Sequence, residues 1–288
     1  MRMVDYHGKR ALVTGGASGI GKALCEALAT RGAQVVVADV DAVGARAVAA
    51  AIKGEAIVCD LADPASPAHL IEAASSGGSL ALVCSNAGIG RNKRILKDTD
   101  EDSARVFAVN YSAGISLAQA YAATLGEGAR GRIMFTGSEN SLSIPAAVRG
   151  FGLGSYAASK HALLAAAEWL REEAAQLDVH VLLPGAVYTP LIAKNLPDPS
   201  QAPPGLHLLM PERCAELALR GMDLGLFYIP THAHIADDMK PRLDGIAAAL
   251  EMQRPVVAIH HPRIGVEIGD FHGQPPLSKV GDAPQLAR

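Results

Sequence analysis

Short, almost wholly apolar runs alternate along the chain with longer stretches in which apolar residues recur every third or fourth position. The short runs read as strands: Arg10–Thr14, Gln34–Asp39, Ala56–Cys59, Leu80–Cys84, Arg132–Thr136, Val179–Leu183 and Phe227–Pro230. Strands this uniformly apolar are covered on both faces, as in a parallel sheet packed between helices. The longer stretches predict helices over Gly19–Arg31, Ala42–Ile52, Pro67–Ser75, Glu101–Leu125, Ser155–Gln176, Pro211–Leu224 and Ile235–Gln253. The alternation predicts an α/β fold: a doubly wound, parallel, seven-stranded Rossmann-like sheet with helices on both faces. Right-handed crossovers then put a ligand crevice at the carboxyl ends of the strands.

No linker or internal repeat divides the chain. The expected organisation is one Rossmann-like domain over residues 1–253 and a C-terminal tail over 254–288. Leu191–Leu209, rich in Pro and Leu, breaks the alternation, and a loop of that length in a compact domain is usually a lid or binding loop.

Composition narrows the function. Hydrophobic residues make up 49% of the 288, which argues against disorder, and only 4% are aromatic. A net charge of −3, with no basic stripe or polybasic segment, points away from nucleic acid and anionic membranes. No apolar run is long enough to span a bilayer. The first strand begins too early for a signal peptide to precede it. Cys25, Cys59, Cys84 and Cys214 are scattered, with no zinc or disulfide spacing. The expectation is a soluble, cytoplasmic protein.

The chemistry begins at Gly15, where a strand passes through a Gly-rich turn (Gly15, Gly16, Ala17, Ser18, Gly19, Ile20, Gly21) into a helix. Amides at such a helix start bind phosphate oxygens, aided by the helix dipole. Glycines permit the sharp turn and the approach of a pyrophosphate. Asp39 ends the second strand. A carboxylate there can accept from both hydroxyls of an adenosine ribose and would repel a 2′-phosphate, which favours NAD(H) over NADP(H). Asp41 is better placed to cap the helix that follows.

Tyr156 and Lys160 lie four residues apart and share one helix face. A free phenol has a pKa of about 10, and a fixed ammonium beside it favours the phenolate. The pair reads as an acid/base device acting on an alcohol oxygen. Ser138 follows an apolar strand that delivers it to the crevice rim.

These motifs, in this order, resemble the short-chain dehydrogenase/reductase family over roughly Lys9 to Pro230: the Thr14–Gly21 turn, Cys59-Asp60-Leu61, Asn86-Ala87-Gly88, Val109-Asn110, Thr136-Gly137-Ser138, Tyr156 through Lys160, and Pro184-Gly185-Ala186-Val187-Tyr188-Thr189. The resemblance implies roles. Asp60 would bond the adenine amino group with Leu61 packed beside it. Asn86, Ala87 and Gly88 would stabilise the central strand and line the cofactor groove. Ser138 would hold the substrate oxygen and Tyr156 would be the acid/base. Lys160 would bind the nicotinamide ribose and lower the Tyr156 pKa. Asn110 would kink its helix and hold a water that relays protons to Lys160. Val187 and Thr189, after Pro184 and Gly185, would meet the nicotinamide carboxamide. Homodimers or homotetramers are also implied, consistent with the small residues of Ser155–Gln176.

The chain departs from the family pattern in two places. Ser138 and Tyr156 are separated by a longer gap than usual, the excess lying in Ser141–Leu153, and Ser141 or Ser143 offers an alternative to Ser138. Ser85 stands where the family has a second Asn, a small change. The apolar lid suggests a bulky hydrophobic secondary alcohol or ketone, and Ser138-Glu139-Asn140-Ser141-Leu142 resembles aryl-alcohol dehydrogenases that act on lignin-type compounds. His232, His234, Asp237 and Asp238, with His260, His261 and His272, could suit a metal. The proposed chemistry needs none, and the acids also suit a helix start. The expected function is hydride transfer between NAD(H) and a secondary alcohol or ketone. The alternatives are an NADPH-preferring carbonyl reductase and a silent dinucleotide-binding regulator.

Overall fold

The computed structural model describes residues 4–194 and 196–257. The chain divides into two compact units, Met1–Lys240 and Pro241–Arg288. In the second unit the described residues, 241–257, are helical. The expected tail, 254–288, is thus helical over 254–257, and the rest of it, with His260, His261 and His272, lies outside the described residues.

The first unit runs β1 (Arg10–Thr14), α1 (Gly19–Thr30), β2 (Gln34–Asp39), α2 (Ala42–Ile52), β3 (Glu55–Val58), α3 (Ser66–Ser75), β4 (Leu80–Ser85), α4 (Asp100–Phe107), α5 (Ala113–Thr124), β5 (Gly131–Thr136), α6 (Gly154–Glu173), β6 (Leu177–Leu183), α7 (Pro190–Ala193), α8 (Pro211–Asp223), β7 (Tyr228–Pro230) and the start of α9 (Ile235–Val257). The strands form one sheet in the order β3-β2-β1-β4-β5-β6-β7, and every pairing is parallel. This is the doubly wound Rossmann-like sheet expected from the alternation. The order reverses between β1 and β4, so the two strand ends diverge there and open the ligand crevice.

Alternate residues of each strand face opposite sides. Ala11, Val13, Val35 and Val37 pack with Leu24 and Leu28 of α1, Val48 of α2 and Leu219 of α8. Leu12, Val36, Ile133 and Phe135 pack on the other face with Leu70 of α3, Leu117 and Tyr121 of α5, and Leu163 of α6. Each fully buried Leu or Phe contributes roughly 1.5–3 kcal/mol. The Tyr121 hydroxyl is satisfied within that apolar layer: it donates to Leu80 O at 2.9 Å and accepts from Arg132 N at 3.2 Å.

One element differs in kind from expectation. The helix anticipated over Glu101–Leu125 is α4 and α5 joined by a π-helical turn over Ala108–Ser112, which carries Asn110. Such wide turns insert one residue into a helix and occur frequently at functional sites. All four cysteines are free, and burial pushes the Cys25 and Cys214 thiols up to about 12, so neither is a nucleophile at neutral pH. Among the described residues no helix is long and apolar enough to cross a membrane.

Candidate active site

The Gly-rich turn is built at the end of β1. Gly15 has φ +66 and Gly19 φ +53, left-handed conformations that favour glycine. A Cβ on Gly21 would lie 2.0 Å from Gly15 O, so the first turn of α1 presses directly on the loop. Ser18 is the N-cap of α1 but its side chain caps nothing, and the first turn holds no acid. The helix start therefore presents amides and positive potential to an anion, as a dinucleotide pyrophosphate requires. An open groove of about 600 Å³ lies beside it, lined by Gly19, Lys22, Tyr188, Thr189 and Pro190 among others.

Asp39 is tied to this turn. Its Oδ2 accepts from Ala17 N and its Oδ1 from Asp41 N, each at 3.0 Å. Each carboxylate oxygen retains acceptor capacity for a hydroxyl. Asp41, as expected, caps α2, accepting from Val43 N and Gly44 N at 3.1 Å. Beyond β3, Leu61 is buried in the second core layer, and Asp60 stays half-exposed, accepting from Ala62 N at 2.9 Å.

Asn86 joins three strand ends. Its Nδ2 donates to Thr14 O at 3.0 Å and its Oδ1 accepts from Thr136 Oγ1 at 3.1 Å. Thr14 Oγ1 in turn accepts from Asn86 N and Ala87 N, both at 3.0 Å. The crevice floor at the β1–β4 reversal is thus locked by side chains. Gly88 follows, with Asn110 Oδ1 and Lys160 Nζ 3.3 and 3.4 Å from where its Cβ would be.

Asn110 is buried and spends its side chain on structure. Nδ2 donates to Ile89 O at 2.9 Å and to Ser159 Oγ at 3.0 Å, and Oδ1 accepts from Ile89 N at 2.8 Å. Ser159 Oγ donates to Tyr156 O at 2.7 Å, so Asn110 ties the loop after β4 to the start of α6.

Ser138 caps a short 3-10 turn, Glu139–Ser141, accepting from Asn140 N at 3.1 Å, while its own N–H donates to Ser141 Oγ at 3.2 Å. The turn it caps packs against α6, which brings the Ser138 hydroxyl close to the Tyr156 phenol. Ser141, one alternative to Ser138, is used in this capping exchange. The extra length of 142–153 loops outward, closed by a parallel bridge between Lys93 and Leu153.

Lys160 is almost fully buried. Its Nζ donates to Thr136 O at 2.6 Å and sits 5.9 Å from the Tyr156 ring centroid. Burial pushes its pKa down to about 8. The expected lowering of the Tyr156 pKa is not met in the chain by itself. Burial raises it most, the Ser138 hydroxyl pulls it down, and the charge of Glu139 pushes it up further. Lys160 is spent partly on Thr136 O, and burial disfavours its charged form, which weakens its hold on the phenol.

After β6, Gly185 N donates to Thr231 Oγ1 at 3.3 Å and His232 Nδ1 at 3.2 Å. Val187 is buried and bridges Leu209 of the lid. Thr189 Cγ2 lies 2.9 Å from the Cβ position of Gly19. Leu191 reaches to 3.3 Å from that of Gly90, on the opposite crevice wall. The lid therefore divides its leucines: Leu209 packs on the first core layer and Leu191 roofs the crevice.

The sequence singled out His234 and Asp238 but not their partner. Glu139, buried beside Ser138, accepts from His234 Nε2 at 2.9 Å. One ligand atom each from Glu139, His234 and Asp238 lie within 4.8 Å of one another, and Asp237 is not in this group. Burial raises the Glu139 pKa and the His234 hydrogen bond lowers it. The only local hint was a charged residue placed directly after an apolar strand and its turn.

Comparison with known proteins agrees with this architecture. The family model for short chain dehydrogenases matches residues 9–200. The 1-deoxy-11-beta-hydroxypentalenate dehydrogenase of Streptomyces avermitilis is 37% identical over 233 residues, 77% of this chain and 84% of that protein. A short chain dehydrogenase/reductase from Burkholderia phymatum in complex with NAD superposes with TM-score 0.75 at 26% identity, covering 86% of this chain and 97% of that one. A short chain dehydrogenase from Burkholderia cenocepacia in complex with NADP gives TM-score 0.67 at 30% identity, covering 79% and 96%.

Proposed function

This chain belongs to the short-chain dehydrogenase/reductase family of oxidoreductases, and we propose that it transfers a hydride between NAD(H) and a bulky, hydrophobic secondary alcohol or its ketone. The observation that carries this reading is the Ser138 hydroxyl close to the Tyr156 phenol, with Lys160 Nζ 5.9 Å from the centre of the same ring. Nicotinamide, when bound, accepts or returns the hydride. The chain's residues handle the proton. Ser138 holds the substrate oxygen, and Tyr156 takes the hydroxyl proton in oxidation or gives it in reduction. Lys160 holds the nicotinamide ribose and Tyr156 in register. Asn110, its side chain committed to Ile89 and Ser159, leaves its main chain in the π turn to hold a relay water.

The pyrophosphate would rest on the amides of Gly15, Ser18, Gly19, Ile20 and Gly21, and the adenosine end on Asp39, Asp60 and Leu61. Asn86, Ala87 and Gly88 would line the groove; Pro184, Gly185, Val187 and Thr189 would close over the nicotinamide. Asp39 supports NAD over NADP, since a 2′-phosphate would approach a carboxylate already fixed by two amides. Exposed Ala158, Ala165 and Trp169 on α6 suit contact with a second copy of the chain, and we read the protein as a homo-oligomer acting in the cytoplasm.

The test is to assay aryl and aliphatic secondary alcohols with NAD⁺ and NADP⁺ side by side. Oxidation of the bulkier alcohols is expected, with NAD⁺ favoured by at least about tenfold, since juxtaposed like charges cost several kcal/mol. Equal or better rates with NADP⁺ would remove the Asp39 argument in favour of a carbonyl reductase. Tight nucleotide binding without turnover of any alcohol would indicate the regulator.

A further inference from the structure

Behind Ser138 and Gly185 lies a cluster of titratable groups that the reaction above does not employ. Glu139 occupies its centre at 5% exposure. Its N–H donates to Pro184 O at 2.8 Å, which joins the loop after β5 to the loop after β6. Its Oε2 accepts from His234 Nε2 at 2.9 Å, and a Cβ on Gly185 would lie 2.9 Å from that oxygen. His207 of the lid stacks on His234 with centroids 4.9 Å apart, and His232 meets it edge-on at 5.3 Å. His232 Nε2 donates to His207 O at 2.8 Å. His207 itself has φ +47, a conformation few non-glycine residues adopt.

We propose that Glu139, held by His234, is a positioning residue of the active site: it fixes the Ser138 and Gly185 loops against each other and keeps a negative charge behind the Ser138–Tyr156 pair. The proposal rests on the reading of Tyr156 as the acid/base. His234 just before α9, Asp238 of α9 and His207 of the lid act on Glu139, the Glu139–Ser141 turn packs against α6, which carries Tyr156, and Glu139 and Lys160 are the charged groups near the phenol. A carboxylate facing a phenol disfavours the phenolate, and Glu139 acts on Tyr156 in that sense. Such a charge keeps Tyr156 protonated, as a proton donor to a ketone oxygen must be. A buried carboxylate needs a hydrogen-bond donor, and the imidazole N–H supplies one.

Glu139→Gln keeps the shape and the hydrogen bond but removes the charge. The acid limb of kcat/KM for alcohol oxidation should move down by roughly half to one pH unit. The phenolate absorbance of Tyr156, taken as the difference from Tyr156→Phe in each background, should titrate lower by the same amount. His234→Leu should lower kcat by about tenfold through misplacement of Ser138, and His234→Gln, which restores a donor, should recover most of the loss. An unmoved absorbance titration in Glu139→Gln would overturn the proposal, as would equal losses in the Leu and Gln variants. Stoichiometric zinc retained by the wild type and lost in Glu139→Gln would also overturn it, by making the cluster a metal site. A wild type without turnover would count against the dehydrogenase reading, and the absorbance titration would still decide the role of Glu139.

Discussion

Tyr156→Phe is expected to lower kcat/KM for alcohol oxidation by about 10²–10⁴-fold, the range general acid–base catalysis supplies. NADH should bind the variant within about threefold of wild type, because the substitution removes one hydroxyl and leaves the ring in place. The hydroxyl lies close to Ser138. Even a full hydrogen bond lost there would cost only about 1 kcal/mol of stability, too little to unfold the protein. The direction of the pH dependence follows from the burial of the phenol, which raises its pKa. Oxidation needs the phenolate and speeds up as pH rises. Reduction needs the phenol and falls over the same range. Steady-state rates in both directions, with a fluorescence titration of NADH, check all of this. Turnover that survives in Tyr156→Phe would assign the proton to another group.

Gly21→Ala is expected to damage the fold and nucleotide binding together. The new methyl would lie 2.0 Å from Gly15 O and 2.6 Å from Asn86 Nδ2, and the nearer atom is main chain that cannot swing away. Overpacking of this kind costs about 1–3 kcal/mol, occasionally more, or a Tm lower by roughly 2–12 °C. The turn must open to admit the methyl, which spoils the amide array at the start of α1, so NADH affinity should fall by at least about tenfold. Gly126→Ala is the matched control, since nothing lies within 4 Å of its Cβ position and its φ is not left-handed. Thermal melts and NADH titrations of the two variants should diverge; a Gly21→Ala protein that binds and melts like wild type would mean the turn is looser than drawn.

What could be read from the chain divides by sequence distance and by period. The strands were legible because a sheet covered on both faces demands uniform apolar runs, as Val35 through Ala38 and Leu80 through Cys84 display. The crevice floor was legible because Thr14 and Asn86 sit directly at strand ends, where the topology brings them together. The π turn around Asn110 was not. Apolar spacing over Glu101–Leu125 fits one continuous helix, and a single inserted residue barely alters that pattern. Glu139 was missed for a different reason. Its partner His234 lies 95 residues away, and nothing local shows that a buried carboxylate will find an imidazole. The same limit applies to the Tyr156 pKa. Spacing on α6 places Lys160 near the phenol, but the burial that raises the one and lowers the other comes from strands and loops far along the chain.

Following the hydride itself tests the account most directly. An aryl alkyl carbinol deuterated at the carbinol carbon would be incubated with the enzyme and NAD⁺, and the nucleotide analysed by mass and NMR. The account predicts one deuterium in the reduced nicotinamide ring, formed by wild type and lost in Tyr156→Phe at unchanged NADH affinity. Tight nucleotide binding with no deuterium transferred from any alkyl or aryl carbinol would contradict it.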